Sequence, residues 1–144
     1  MAMRAIVDTD TLSEILKGKD PNVANKASVY RANQGRYTFS TITVMEIVKG
    51  LSRKGRNDAI DRFLAVVDDS DLLTLDKVSA ELAGRIYADL EQAGRPIGVA
   101  DVLIAALALH YGLPLVTGNT SDYERIQAAG YPLVLENWRA PHKP

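Results

Sequence analysis

The chain is expected to fold as an α/β three-layer sandwich, with a central parallel sheet of about five strands between helices. Short apolar strands and amphipathic helices alternate along its length, the pattern that builds parallel sheets covered on both faces. The strand segments are β-branched and apolar with little alternation, as expected where both faces are buried. A length of 144 residues with 47% hydrophobic and 24% charged side chains suits one domain with a real core.

Taken in order, Ala5-Ile6-Val7 is a buried strand ending at Asp8. Thr11 to Lys17 reads as a helix closed by Gly18 and Pro21, and Asn22 to Asn33 as a second that stops at Gly35. Tyr37 to Ser40 is the next strand. Thr43 to Lys49 carries Val44, Ile47, Val48 and Leu51 on one helical face. Asn57 to Val67 repeats that spacing with Ile60, Phe63, Leu64 and Val67. Leu72 to Leu75 is the third strand, and Val78 to Ala93 a helix with the stripe Leu82, Ile86, Leu90, a core face with a homodimer contact as the alternative. A helix runs from near Gly98 to near Gly112, followed by the strand Leu115-Val116-Thr117, a helix from Ser121 to Ala129 and a last strand, Leu133 to Leu135. The domain is expected to span 1–144, with 135–144 as a C-terminal tail in which Trp138 packs onto the domain and His142 is disordered.

Several function classes drop out. A formal charge of −1 offers no global field for nucleic acid or an anionic membrane, although a local basic patch remains compatible with an enzyme. With no cysteine, disulfides, thiolate catalysis and thiolate metal sites are excluded. The first residues lack a signal-peptide core, and the longest apolar run, Val102 to Leu109, is too short to span a membrane, so a cytoplasmic location is expected. His110 ends an apolar helix, where a contact with the C-terminal dipole explains it without catalysis.

Three carboxylates stand in apolar company. Asp8 closes the first strand, Glu46 lies within Ile42-Thr43-Val44-Met45-Glu46-Ile47-Val48, and Asp101 is the only charge between Arg95 and His110. An ionised carboxylate on a buried segment costs several kcal/mol unless a cation or several donors meet it, on the order of 3–5 when one partner is missing. No lysine or arginine accompanies them. One divalent cation would answer all three. Oxygen donors without cysteine or spaced histidines favour Mg²⁺, with Mn²⁺ as substitute, and such ions serve phosphodiester hydrolysis. Each residue also has a structural explanation. Glu46 with Thr43 forms a capping box, Asp101 lies in the first turn of a helix, and Asp8 could cap the helix after it. Capping and metal binding are compatible, and ligands of parallel sheets bind at the carboxyl ends of strands.

Four stretches then resemble the PIN-domain family in its VapC-like branch of toxin ribonucleases. They are Val7-Asp8-Thr9-Asp10-Thr11-Leu12-Ser13-Glu14, Ser40 to Gly50, Ile97 to Ala106, and Leu115-Val116-Thr117-Gly118-Asn119-Thr120-Ser121-Asp122-Tyr123. The resemblance spans roughly Arg4 to Leu135 and implies a metal-dependent endoribonuclease, the toxin of a type II toxin–antitoxin pair. Asp8, Glu46 and Asp101 match its acidic metal-site positions. At the fourth, Asn119 stands where many members have Asp, and Asp122 offers a carboxylate one turn later. Asp10 departs from the usual Asn and adds an acid near the metal. Thr9 and Thr117 are candidates for orienting ligands or water, with turn hydroxyls as the alternative. The resemblance further implies an RNA substrate such as transfer RNA, a cognate antitoxin and a homodimer. Lys49, Arg53, Lys54 and Arg56, with Lys17 and Lys19 beside them, are the RNA-binding candidates, a solvated helix end being the plainer reading.

Two alternatives stay open at this level. A haloacid-dehalogenase-like phosphatase would use Asp8-Thr9-Asp10 as its nucleophile loop, but Leu12 stands where that family wants Thr or Val. A non-catalytic PIN-like module would bind RNA or a partner without cutting, and Asn119 keeps that reading alive.

Overall fold

The computed structural model describes residues 4–139. Five parallel strands form one sheet in the order β3-β2-β1-β4-β5. They are β1 (Ile6–Val7), β2 (Thr38–Ser40), β3 (Asp71–Leu73), β4 (Leu115–Val116) and β5 (Leu135–Glu136). The register pairs Ile6 with Thr38 on one side of β1 and with Leu115 on the other. Every crossover contains at least one helix: α1 (Thr9–Lys17), α2 (Pro21–Gln34), α3 (Thr41–Arg53), α4 (Asn57–Asp68), α5 (Lys77–Gln92), α6 (Val99–Tyr111) and α7 (Thr120–Ala128).

Successive strand residues face opposite sides of the sheet, and the core divides accordingly. Ile6 and Leu115 join one apolar cluster with Ile86 and Leu90 of α5, Ile104 and Leu107 of α6, and Ile126 of α7. Ala5, Val7 and Val116 join the other with Leu12 of α1, Val23 and Tyr30 of α2, Ile47 of α3 and Phe63 of α4. The three-layer sandwich expected from the sequence is the fold. Ile86 and Leu90 are buried and Leu82, partly buried, packs against their cluster, so this stripe faces the core. The α6 helix is apolar nearly all round because Val102 and Ile104 to Ala108 are all buried.

Helix ends follow local chemistry. Asp8, Asp20, Ser40 and Asp76 each cap the helix that follows, accepting from backbone N–H groups of its first turn. Pro21 opens α2, where its missing N–H has no partner to lose. Gly18 ends α1 in the left-handed region at φ 65°, which a residue with a side chain rarely adopts.

Some boundaries differ from expectation. The α3 helix begins at Thr41 and continues to Arg53, because Ser40 caps it and not Thr43. Leu133 is buried, yet the last strand is Leu135–Glu136, since register with β4 selects those residues. Apolar character marked burial there, not pairing. Residues 135–139, within the stretch expected as a tail, supply β5 and the buried Trp138, whose ring lies 5.5 Å from that of Tyr30. His142 lies outside the described residues. Among the described residues no helix is long and apolar enough to cross a membrane.

Candidate active site

From β1 the chain builds outward to β2 and β3, then crosses to β4 and β5 on the opposite side. The direction of winding reverses between β1 and β4, and at such a point the connections leave a crevice at the strands' carboxyl ends. Asp8 stands there, its backbone N–H donating to Val116 O at 3.0 Å. Thr117, at the end of β4, faces it.

Asp8 is only 4% exposed. Its Oδ1 accepts from Thr11 N at 2.8 Å, so it caps α1. Burial pushes its pKa up, the Thr117 hydroxyl and the Thr11 backbone draw it down, and the charge of Asp10 adds to the rise. The net direction is upward. The Thr117 hydroxyl in turn accepts from Asn119 N at 2.9 Å, so its own proton is left for Asp8.

Glu46 is held from a second direction. Its Oε1 accepts from the Thr9 hydroxyl at 2.6 Å. Thr9 Oγ1 lies 3.0 Å from Thr43 Oγ1, and Ser40 Oγ donates to Thr43 Oγ1 at 3.4 Å. Each hydroxyl owns one proton. With Thr9 donating to Glu46, Thr43 must donate to Thr9 and accept from Ser40, giving a one-way relay that ends on the carboxylate. The capping box expected of Thr43 and Glu46 is not formed, because Ser40 takes the cap and Glu46 turns to α1.

Asp101 occupies the first turn of α6, where the helix dipole favours its charge. Its Oδ1 accepts from the hydroxyl of Tyr123, a fully buried side chain of α7, at 3.2 Å. Its pKa is nonetheless pushed up to about 6, chiefly by burial, then by the charges of Glu46, Asp8 and Asp10, with Tyr123 opposing. Tyr123 is itself raised well above the ordinary phenol, by burial first and then by Asp101 and Asp8. Asp8, Glu46, Asp10 and Asp101, separated by up to 93 positions, therefore share one field.

None of these four has a lysine, arginine or histidine in ion-pair contact among the described residues, whereas arginine–carboxylate pairs form elsewhere. The donors are all oxygens. As the side chains stand, no group of three or more acidic, histidine or cysteine residues among those described is drawn tight enough to hold a metal ion.

Asn119 and Asp122 satisfy one another. The Asn119 amide donates to Asp122 Oδ2 at 2.9 Å, and Asp122 Oδ1 lies 3.9 Å from Arg125. That corner carries its own countercharge. Of the basic candidates, Lys49, Arg53, Lys54 and Arg56 are exposed along and just beyond α3, with Arg56 3.6 Å from Asp58. Lys17 and Lys19 are exposed at the end of α1. His110 Nε2 lies 3.3 Å from Asp76 Oδ2, the carboxylate that caps α5, and touches none of the crevice carboxylates. Sequence reasoning gave no role to Tyr123 or Ser40, and gave Thr43 only that of a helix cap. A tyrosine directly after Asp122 was a weak sign, whereas the hydroxyl relay depends on a contact between α1 and α3 that spacing does not reveal.

Comparison with known proteins agrees with this fold and shows the family. The PIN domain family model matches residues 5–128. A protein of Shigella flexneri described as a tRNA(fMet)-specific endonuclease VapC is 32% identical over 140 residues, covering 94% of this chain and 98% of that protein. Ribonuclease VapC2 of Haemophilus influenzae is 31% identical over the same shares. Among solved structures, DNA-bound VapBC from Salmonella typhimurium superposes with a TM-score of 0.74 at 30% identity, covering 95% of this chain and 99% of that one. VapBC2 from Rickettsia felis bound to a promoter DNA fragment gives a TM-score of 0.79 at 24% identity, over 94% and 99% of the two chains, a likeness of fold. The chain belongs to the PIN-domain family, in its VapC ribonuclease branch.

Proposed function

We propose that this VapC-type endoribonuclease hydrolyses RNA with Mg²⁺, or Mn²⁺ in its place, held by Asp8, Glu46 and Asp101. The single observation that carries this reading is a set of carboxylates sharing one field with no protein cation to balance them. Binding would close the remaining distance between side chains and remove their mutual repulsion. When bound, the ion supplies charge neutralisation at phosphate and activation of water. The protein's own part is positioning: Thr117 holds Asp8, the Ser40–Thr43–Thr9 relay holds Glu46, and Tyr123 holds Asp101. Asp10 adds negative potential at the rim. Asp122, already matched by Arg125, contributes at the margin, and Asn119 fixes Asp122.

The Shigella flexneri relative's activity on tRNA(fMet) supports transfer RNA as the substrate class. Lys49 and Arg53, three and seven positions after Glu46 on the same helix, are placed to meet its backbone, with Lys54 and Arg56 beyond them. The VapBC complexes of similar chains support a cognate antitoxin as partner. We further propose a homodimer of single PIN-like units working in the cytoplasm. The family match replaces the phosphatase alternative.

The test is cleavage of labelled transfer RNA with Mg²⁺, Mn²⁺ or EDTA. Cutting that requires metal and disappears in Asp8→Asn and Asp101→Asn is the expected result. Tight binding without cutting in either metal would refute it in favour of a binding module.

A further inference from the structure

Residues 137–139 lie along α2 as a strap. Trp138 is buried against Tyr30, the Asn22 side-chain amide donates to Arg139 O at 3.1 Å, and Arg139 N donates to Asn137 Oδ1 at 2.9 Å. These contacts tie the strap to α2 and leave one long side chain free to reach elsewhere. The Arg139 guanidinium turns back over the β4–α7 loop. It pairs with Glu14 of α1 and lies so close to Gly118 that a Cβ there would collide with it. Gly118 is not in the left-handed region, and with no side chain it leaves the guanidinium room against the loop; a side chain there would displace the flexible end of Arg139.

The position matters because of its neighbours. Gly118 directly follows Thr117, the residue that holds Asp8. Glu14 lies four residues after Asp10 on α1, and residues four apart share a helix face. A permanently charged, planar donor therefore stands at the rim of a cluster that is otherwise negative. Its pair with Glu14 is open to solvent on the arginine side, Arg139 being 43% and Glu14 23% accessible, and pairs that solvent reaches are weakened. A phosphate diester, by contrast, can take two parallel N–H bonds from the same group.

We propose that Arg139 is a substrate-phosphate ligand of this site, parked on Glu14 in the free protein and passed to an RNA phosphate beside the acidic cluster when RNA arrives. The proposal rests on the nuclease reading and adds the residue that holds the RNA backbone over the carboxylates. Glu14 is then a gatekeeper that substrate must displace.

The test measures anisotropy of a labelled mixed-sequence single-stranded RNA, with Ca²⁺ in place of Mg²⁺, between 50 and 200 mM salt. Arg139→Ala should bind ~10-fold more weakly, the scale of one lost charged contact. Its salt dependence should be shallower by ~0.7, one phosphate's worth for a single strand. Arg139→Lys should keep the slope and part of the affinity, and Glu14→Gln should bind at least as tightly as the parent chain. In Mn²⁺, Arg139→Ala should raise KM with little change in kcat. A strap that only braces the fold predicts otherwise: Arg139→Ala and Glu14→Gln would weaken binding alike, the slope would not move, and Trp138 fluorescence would report an unseated strap. That result overturns the proposal, as does failure of the parent chain to retain RNA at 50 mM salt. If Arg139→Ala does not fold, Arg139→Lys and Glu14→Gln still decide. Retention without cleavage would sink the nuclease reading and leave the Arg139 comparison standing, whereas cleavage indifferent to Arg139 would do the reverse.

Discussion

Replacing Asp101 by Asn should make the metal-free protein more stable while destroying its response to metal. The carboxyl rises from 3.8 to about 6 on folding, through burial and then the charges of Glu46, Asp8 and Asp10. That rise corresponds to ~3 kcal/mol at neutral pH, and partial exposure of the group screens it to ~1.5. Asn keeps an oxygen for the Tyr123 hydroxyl, so the hydrogen bond survives while the charge goes. For a chain of this size ~1.5 kcal/mol raises Tm by about 3–6 °C. The sign follows from linkage: a carboxyl raised on folding favours the folded state when protonated, so that stabilisation is complete below 3.8 and lost as pH climbs through about 6. The advantage of Asp101→Asn should thus be full at about pH 7.5, roughly half at pH 5, where the unfolded carboxyl is already ionised, and gone below pH 3.8. Thermal unfolding in EDTA across that range reads it directly. Mn²⁺ at a hundred times its Kd should then stabilise the parent chain by about 2.7 kcal/mol and the variant far less. A variant no more stable than its parent at pH 7.5, or one whose advantage is the same at pH 5, would refute the shared-field argument.

Other substitutions separate positioning from structure. Thr9→Val cuts the relay to Glu46 without touching a carboxylate and should lower Mn²⁺ affinity about 10- to 100-fold, read by calorimetry, with a fold little changed. Asp8→Asn and Asp8→Ala should be equally dead in RNA cleavage yet differ in stability by ~1 kcal/mol in urea melts, since Asn still caps α1 and Ala does not. Leu107→Ala, in the middle of α6 and fully buried, should cost about 2–5 kcal/mol in the same melts.

The sheet and its covering helices were legible because strands and helices leave different periods, and Asp8, Glu46 and Asp101 stood out as charges in apolar runs. The sequence located the crevice as well, since Asp8 and Thr117 end strands. Less was visible where tertiary contacts override local rules. Thr43 and Glu46 have capping-box spacing, yet Ser40 outcompetes Thr43 and Thr9 claims Glu46. Leu133-Val134-Leu135 looks like a strand, but register with β4 begins at Leu135, and of the residues before it only Val134 joins in, accepting from Leu115 N through its carbonyl. Arg139 sits 125 positions from Glu14, and no pattern in one chain links such a pair. Asn119 and Asp122 could not be ranked from sequence, because their mutual hydrogen bond and the Arg125 contact depend on how α7 begins.

The strand order has a consequence for the timing of synthesis. The half-sheet β3-β2-β1 is complete once residue 73 has emerged, bringing Asp8 and Glu46 together early. The groups proposed to complete the site, Asp101, Thr117 and Tyr123, come from the last third of the chain, and β4 must insert beside β1 to bring Thr117 to Asp8. On that proposal, a ribosome making this RNA-cutting protein should carry an inert fragment until near the end of translation. Chains arrested on the ribosome before residue 115 should leave transfer RNA intact, and cutting by such a fragment would contradict that order of assembly.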